Sequence, residues 1–157
     1  MPVGLGFDIH RLKRGKQFVL GGVRMDFEKG PVGHSDGDVV LHALVDALLG
    51  ATGGGDIGER FPDSDPKWRG TDSIEFVRTI WRELRKPWRV VNVDVTVFAQ
   101  KPRLGRVKSA IGRTVAELLE LEPGAVNIKA KTMEGLGPIG AAEAIAAQVI
   151  LELQPRA

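Results

Sequence analysis

His34-Ser35-Asp36-Gly37-Asp38-Val39-Val40-Leu41-His42-Ala43-Leu44-Val45-Asp46-Ala47-Leu48-Leu49-Gly50 is the stretch on which the fold turns. Ser35 and Asp36 are good N-cap residues, and the apolar positions Val39-Val40-Leu41, Leu44-Val45 and Leu48-Leu49 follow at helical spacing before Gly50 supplies a stop. The spacing predicts a helix. Within it Asp38, His42 and Asp46 are spaced by four and form one polar stripe, with Val40, Leu41, Leu44, Val45 and Leu48 on the opposite face.

Before this helix, Val3 to Leu12 reads as a strand. Phe18-Val19-Leu20 and Val23 to Phe27 form a hairpin whose Gly21-Gly22 turn reaches positive φ. After it, a Gly/Asp/Pro-rich loop from Gly53 to Gly70 is longer than a plain connection needs, which points to functional use. Asp72 and Glu75 suggest a capping box for a helix ending near Lys86-Pro87. Trp88 to Ala99 places Val91, Val93, Val95 and Val97 in strict alternation, a period-two strand that Lys101-Pro102 breaks. Arg103 to Glu122 reads as a helix, Val126 to Lys131 as a strand, and the alanine-rich Ala141 to Leu153 as a final helix. Together these elements predict a single α/β (α+β) domain over residues 1–157, a mixed sheet with helices packed on one face.

Composition narrows the chemistry. A chain of 157 residues with 43% hydrophobic content is long enough to bury a core without covalent staples. Cysteine is absent, so any metal site must be built from imidazole and carboxylate, and a reducing compartment suits the chain. The balance of 22 Lys+Arg against 20 Asp+Glu lacks a long basic run, which argues against nucleic acid as a partner. No apolar run approaches membrane-spanning length and Met1 to Leu5 has no leader pattern, so a cytoplasmic protein without a membrane partner is expected.

All three histidines fall in the first 42 residues, each with an aspartate within four positions. On a strand, Asp8 and His10 point to the same face and can chelate one cation. His42 projects from the polar side of the following helix. Two imidazoles and a carboxylate make a three-ligand site that suits Zn²⁺ with a fourth position open for substrate. Taken singly, a histidine beside an aspartate is an ordinary surface or helix-pairing feature, so spacing alone yields a candidate site rather than an enzyme.

The segments read together are more specific. They are Gly6-Phe7-Asp8-Ile9-His10-Arg11; Gly21-Gly22-Val23; His34-Ser35-Asp36-Gly37-Asp38 with His42; Gly55-Asp56-Ile57-Gly58; Phe61-Pro62-Asp63-Ser64-Asp65-Pro66; Ala99-Gln100-Lys101-Pro102-Arg103; and Lys129-Ala130-Lys131-Thr132-Met133-Glu134-Gly135. In order and spacing this chain resembles the 2-C-methyl-D-erythritol 2,4-cyclodiphosphate synthase family from end to end.

The resemblance implies a lyase of non-mevalonate isoprene biosynthesis. Its substrate would be 4-diphosphocytidyl-2-C-methyl-D-erythritol 2-phosphate, whose own 2-phosphate attacks the β-phosphorus and expels CMP. It implies zinc at Asp8, His10 and His42, and a second divalent ion, Mg²⁺ or Mn²⁺, at Glu134. His34 and Thr132 resemble the pair that stabilises the transition state. His34 and Ser35 sit just before the helix, where free N–H groups and the positive dipole end favour phosphate oxygens. Asp56, Ile57, Gly58, Phe61, Pro62, Asp63, Ser64 and Asp65 match the segment that holds the methylerythritol hydroxyls, and Asp8, Ile9 and His10 border the phosphates. Ala99, Gln100, Lys101, Pro102, Arg103, Leu104 and Gly105, with Ala130, Lys131, Thr132, Met133 and Glu134, resemble the cytidine side.

Members of the family are homotrimers with shared active sites, so a trimer is implied. One departure stands out. The family often carries Gly-Arg-Gly-Glu where this chain has Gly140-Ala141-Ala142-Glu143, so the arginine associated with isoprenoid diphosphates in a central cavity is missing. Two rival readings use the same residues: a zinc-dependent phosphohydrolase of other specificity, and a noncatalytic metal- or nucleotide-binding oligomer.

Overall fold

Gly4 and Gly6 alternate along the first strand, β1 (Val3–Arg14), and a Cβ on either would fall 1.8 or 1.9 Å from the carbonyl oxygens of Ala47 and Ala43. Their missing side chains let helix α1 (Val39–Thr52) lie directly on the strand. The computed structural model describes residues 1–156. Between these two elements come a hairpin of β2 (Phe18–Leu20) and β3 (Val23–Met25), then the short β4 (Lys29–Pro31). After α1 follow α2 (Ile57–Arg60), α3 (Ser73–Leu84), β5 (Trp88–Phe98), α4 (Lys108–Leu118), β6 (Val126–Lys131), α5 (Gly137–Gly140) and β7 (Ala144–Pro155).

The main sheet has the order β4-β1-β7-β5-β6, with β5 and β6 parallel and the other pairs antiparallel. It is the mixed sheet expected from the sequence, in a single α+β domain with the long helices on one face. Even-numbered residues of β1 face α1, whereas Val3, Leu5, Phe7 and Ile9 face outward and are exposed. Val91 and Ile150 add to that open apolar face. Among the described residues no helix is long and apolar enough to cross a membrane.

The largest difference from the sequence reading is the C-terminal segment. Ala141 to Leu153 is not a helix: Ala144 to Pro155 is β7, the central strand, paired with β1 on one side and β5 on the other. Val149, Leu151 and Leu153 alternate inward while Gln148 and Glu152 are only partly buried. Burial between two neighbours overrides the helix propensity of alanine, which a sequence window weighs without its partners.

Other boundaries shift for local reasons. The helix expected over Arg103 to Glu122 is shorter, Lys108–Leu118, because Leu104 to Val107 form turns first. Gly50 does not end α1, which continues to Thr52 and closes on Gly53 in the left-handed region. A register shift between Val90 and Asn92 turns Val90 inward and Val91 outward, so the valine alternation is continuous only from Val93. The Gly53 to Gly70 loop is itself structured, by α2 and by a 3₁₀ turn at Pro66–Trp68.

The start of α1 also differs. Neither Ser35 nor Asp36 caps it: Asp38 does, with its carboxylate taking the N–H groups of Val40 and Leu41. Asp38 is fully buried and so leaves the polar stripe, which reduces to His42, Asp46 and Gly50 on a helix whose other residues from Val39 to Leu49 are all buried. At α3 the capping box does not form; Asp72 makes no side-chain cap and Glu75 pairs with Arg78.

Candidate metal centre and active-site cleft

The strand pair and the helix stripe converge. Asp8 Oδ2 lies 2.9 Å from His10 Nε2 and 3.0 Å from His42 Nδ1, and the two imidazole nitrogens are 3.2 Å apart. A cation bound at about 2.0–2.1 Å with tetrahedral angles holds its ligand atoms about 3.3 Å from one another, so this triangle is close to one face of such a site. Asp8, His10 and His42 are the one group of this kind among the described residues.

The surroundings select the coordinating atoms. His10 Nδ1 is 2.8 Å from the Val32 carbonyl, an acceptor only, so the ring donates there and Nε2 keeps its lone pair. His42 Nε2 faces two hydroxyls, Ser35 Oγ at 3.0 Å and Ser73 Oγ at 2.9 Å, which leaves Nδ1 for the cation. Burial opposes charge at Asp8, but hydrogen bonds and the positive field of His10 and His42 outweigh it and hold the carboxyl at about 2. Burial likewise acts to lower His10, and Asp8, by hydrogen bond and charge, raises it above its ordinary value. A cation needs both coordinating nitrogens unprotonated, so its binding would displace any proton held there.

A cleft of about 530 Å³ opens over the cluster, lined by Asp8, His10, His34, Ser35 and His42, by Ile57, Gly58 and Phe61, and by Pro62, Asp63, Ser64 and Asp65. His34 Nδ1 reaches Asp63 Oδ2 at 3.2 Å, and the His34 carbonyl accepts the Gly70 N–H at 2.8 Å, which ties the two loops that form the rim. Asp56 caps α2 by accepting the Glu59 N–H with Oδ1. The helix-dipole site expected beside His34 and Ser35 is not formed, since the first free N–H groups of α1 are taken by buried Asp38; His34 and Ser35 face the cleft through the loop instead.

Several residues in or behind the cleft escaped the sequence reading. Trp68 and Phe76 form an aromatic wall with Phe61, whose ring stacks on Phe76 at 4.6 Å. Arg69 is the one lysine or arginine that lines the cleft. Ser73 is buried behind His42. Ser73 left a trace in the sequence as a helix-start serine; Trp68 and Arg69 needed the fold of the Gly53 to Gly70 loop, and Phe76 needed the packing of α3.

The expected cytidine-side residues form a second cleft of about 550 Å³. Ala99, Gln100, Pro102, Arg103, Leu104, Gly105, Ala130, Lys131 and Thr132 line it. Glu134 stands next to it at φ 51, a strained value for a residue with a side chain, and its carboxylate accepts from Thr132 Oγ1 at 3.1 Å. Within one chain the structure does not bring Thr132, Met133 or Glu134 to the Asp8 cluster. The strand register puts Asp8, Ala147, Val97 and Ala130 in one row across β1, β7, β5 and β6, so the two sides are separated by three strand spacings, about 14 Å.

A trio of metal-type ligands beneath a polar cleft, on a mixed sheet with one face covered by helices, defines the class as an α+β protein with a candidate catalytic metal centre. The chain belongs to the YgbB family, whose family model matches residues 1–154. It is 48% identical over 153 residues to a 2-C-methyl-D-erythritol 2,4-cyclodiphosphate synthase of Geobacillus kaustophilus, covering 97% of each chain. It is 49% identical to the bifunctional enzyme IspD/IspF of Erythrobacter litoralis over 93% of this chain, but spans only 38% of that longer relative. Among solved structures it superposes with TM-score 0.87 on a CDP complex of IspF from Plasmodium falciparum, at 33% identity, covering 99% of this chain and 97% of that one.

Proposed function

We propose that this chain converts 4-diphosphocytidyl-2-C-methyl-D-erythritol 2-phosphate to 2-C-methyl-D-erythritol 2,4-cyclodiphosphate and CMP, a step of non-mevalonate isoprenoid precursor synthesis. The observation that carries the reading is the convergence of Asp8, His10 and His42 under one cleft in a chain that belongs to the YgbB family. The 2-phosphate oxygen attacks the β-phosphorus, the bond to the CMP oxygen breaks, and no outside nucleophile enters. The protein's task is therefore to bend the substrate and neutralise crowded charge.

Asp8, His10 and His42 would hold Zn²⁺ and Glu134 would hold Mg²⁺ or Mn²⁺, and the two ions would supply Lewis-acid neutralisation of phosphate oxygens. The donor set fits the first assignment, since two neutral imidazoles and a carboxylate with one open corner suit catalytic zinc. His34, Ser35 and Thr132 donate to phosphate oxygens as charge builds. Asp56, with Oδ1 engaged by Glu59, offers its other oxygen to erythritol hydroxyls, and Ile57 to Asp65 close around them. Ile9, Lys101 and Met133 complete the substrate-binding set implied by the resemblance.

A homotrimer reconciles the two clefts: the metal side of one subunit meets the cytidine side of the next. The open apolar face of the sheet, with Leu5, Phe7 and Ile9 exposed, supports an interface there. Light scattering is expected to give a trimer, and an active monomer would refute the shared site. The cysteine-free composition suits work in a reducing cytoplasm.

Turnover in ¹⁸O-labelled water separates cyclisation from its rivals. Cyclisation releases CMP and the cyclic product without label. One labelled oxygen per CMP released would establish a hydrolase, and binding without any product would establish a noncatalytic protein.

A further inference from the structure

Behind the metal cluster, on the side away from the cleft, three polar residues form a chain. Ser73, the first residue of α3, is fully buried. Its Oγ is 2.9 Å from His42 Nε2 and in hydrogen-bond contact with Asp36 Oδ1, and its backbone N–H donates to Asp36 Oδ2 at 3.2 Å. Asp36 also accepts the Asp38 N–H at 3.2 Å, so the carboxylate is fixed from two loops.

The ends of the chain dictate where the protons are. Asp36 as a carboxylate only accepts, so the Ser73 hydroxyl donates to it. An imidazole that coordinates a cation through Nδ1 carries its proton on Nε2, so His42 donates to Ser73 Oγ, which still has a lone pair to receive it. The order is His42 Nε2–H to Ser73 Oγ–H to Asp36. We propose that Ser73, backed by Asp36, is a positioning residue that orients and tunes the metal ligand His42, a carboxylate–histidine pair with a serine inserted between its members.

This inference rests on the metal reading of Asp8, His10 and His42. Ser35 Oγ also stands 3.0 Å from His42 Nε2, but its role differs. Ser35 lines the cleft and accepts the Gly37 N–H at 3.2 Å, so a ligand in the cleft can draw it away. Ser73 does not line the cleft and touches no carboxylate other than Asp36; its only other side-chain neighbour on the His42 side is Ser35 Oγ, at a longer 3.4 Å. It is the permanent acceptor, and Ser35 the exchangeable one.

The test is metal binding, independent of turnover. Zn²⁺ affinity is measured by chelator competition, and the visible spectrum of the Co²⁺-loaded protein reports ligand geometry. Ser73→Ala should bind Zn²⁺ about 10- to 100-fold more weakly and alter the Co²⁺ bands, while Ser73→Thr, which keeps the hydroxyl, recovers both. Ser73→Ala with parental affinity and spectrum would overturn the relay. If Ser73→Ala does not fold, Asp36→Asn decides: it keeps an acceptor for Ser73 but removes the charge, and should weaken Zn²⁺ several-fold. Asp36→Asn with unchanged Zn²⁺ affinity would overturn the relay as well. A parent protein that does not bind Zn²⁺ removes the metal centre itself and the relay with it, a result distinct from the others.

Discussion

Asp38 Oδ1 accepts the N–H of Gly21 at 2.8 Å, and through that bond a buried carboxylate at the start of α1 holds the turn of the β2–β3 hairpin. The same side chain takes Gly22 N at 2.7 Å through Oδ2, and Val40 N and Leu41 N at 3.1 and 3.2 Å through Oδ1. Burial pushes this carboxyl up, against the pull of its backbone donors. The site depends on this joint because it fixes where α1 begins, and so where His42 stands over Asp8.

Asp38→Ala should therefore be among the most damaging single changes to the fold. It strands buried N–H groups of the hairpin turn and the helix start, and the expected loss is about 3 kcal/mol or more. Asp38→Asn keeps part of the acceptor set and should lose less. Urea denaturation of both variants measures the ranking; a loss in Asp38→Ala below about 1 kcal/mol would contradict it.

His42→Ala acts on the metal and not on the fold. Its ring sits on the only polar line of α1, partly open to the cleft. Metal content by mass spectrometry should fall to near zero, while circular dichroism and the metal-free melting curve stay close to the parent's. Retention of stoichiometric zinc would reject His42 as a ligand.

The pH dependence of metal uptake follows from the pair of shifts. Without metal, His10 has a raised pKa, so its pairing stabilises the fold fully below the ordinary 6.5 and that gain is lost as pH rises through the raised value. Asp8, lowered from 3.8 to about 2, stabilises above 3.8 and loses that gain as pH falls toward about 2. The metal needs His10 unprotonated at its coordinating nitrogen, so zinc affinity should climb with pH and level off above the raised His10 value. Calorimetry in buffers of different ionisation enthalpy should show proton release on binding that shrinks as pH increases; a pH-independent proton count would refute this coupling.

Arg69 is the single fixed cation in a cleft that also holds Asp8, Asp63 and Asp65. A polyphosphate entering that cleft needs it for charge balance. Arg69→Ala should raise KM by about tenfold with a smaller change in kcat, the pattern of an interaction made equally in ground and transition states. Steady-state kinetics with the cytidine substrate decide it, and an unchanged KM would assign Arg69 to solvent.

Ala142 holds φ at 55, where the resemblance places glycine. Its carbonyl accepts Lys29 Nζ at 2.8 Å, so the conformation is kept in place by the tie to β4. Ala142→Gly relieves the left-handed strain, although it makes the unfolded chain freer, and should stabilise by up to about 1 kcal/mol. A lower melting temperature for Ala142→Gly would show that the site tolerates alanine without strain.

The donor set was legible in the sequence because each side chain's direction is set locally. Asp8 and His10 are two apart on a period-two strand, and His42 and Asp46 are four apart on a helix that is apolar elsewhere, so short-range periodicity alone aims them. The hairpin at Gly21-Gly22 and the strands at Val93 and Val126 were legible for the same reason. What the sequence could not settle depends on neighbours distant in the chain. Ala144 to Pro155 became the central strand because β1 and β5 flank it, and alanine's own preference points the other way. Asp38 became the cap because Gly21 and Gly22 meet it from another element, and Ser73 became part of the centre because Asp36 and His42 close on it from 37 and 31 residues away. Helix and strand patterns record which way a side chain points; only the packed fold decides what stands opposite it.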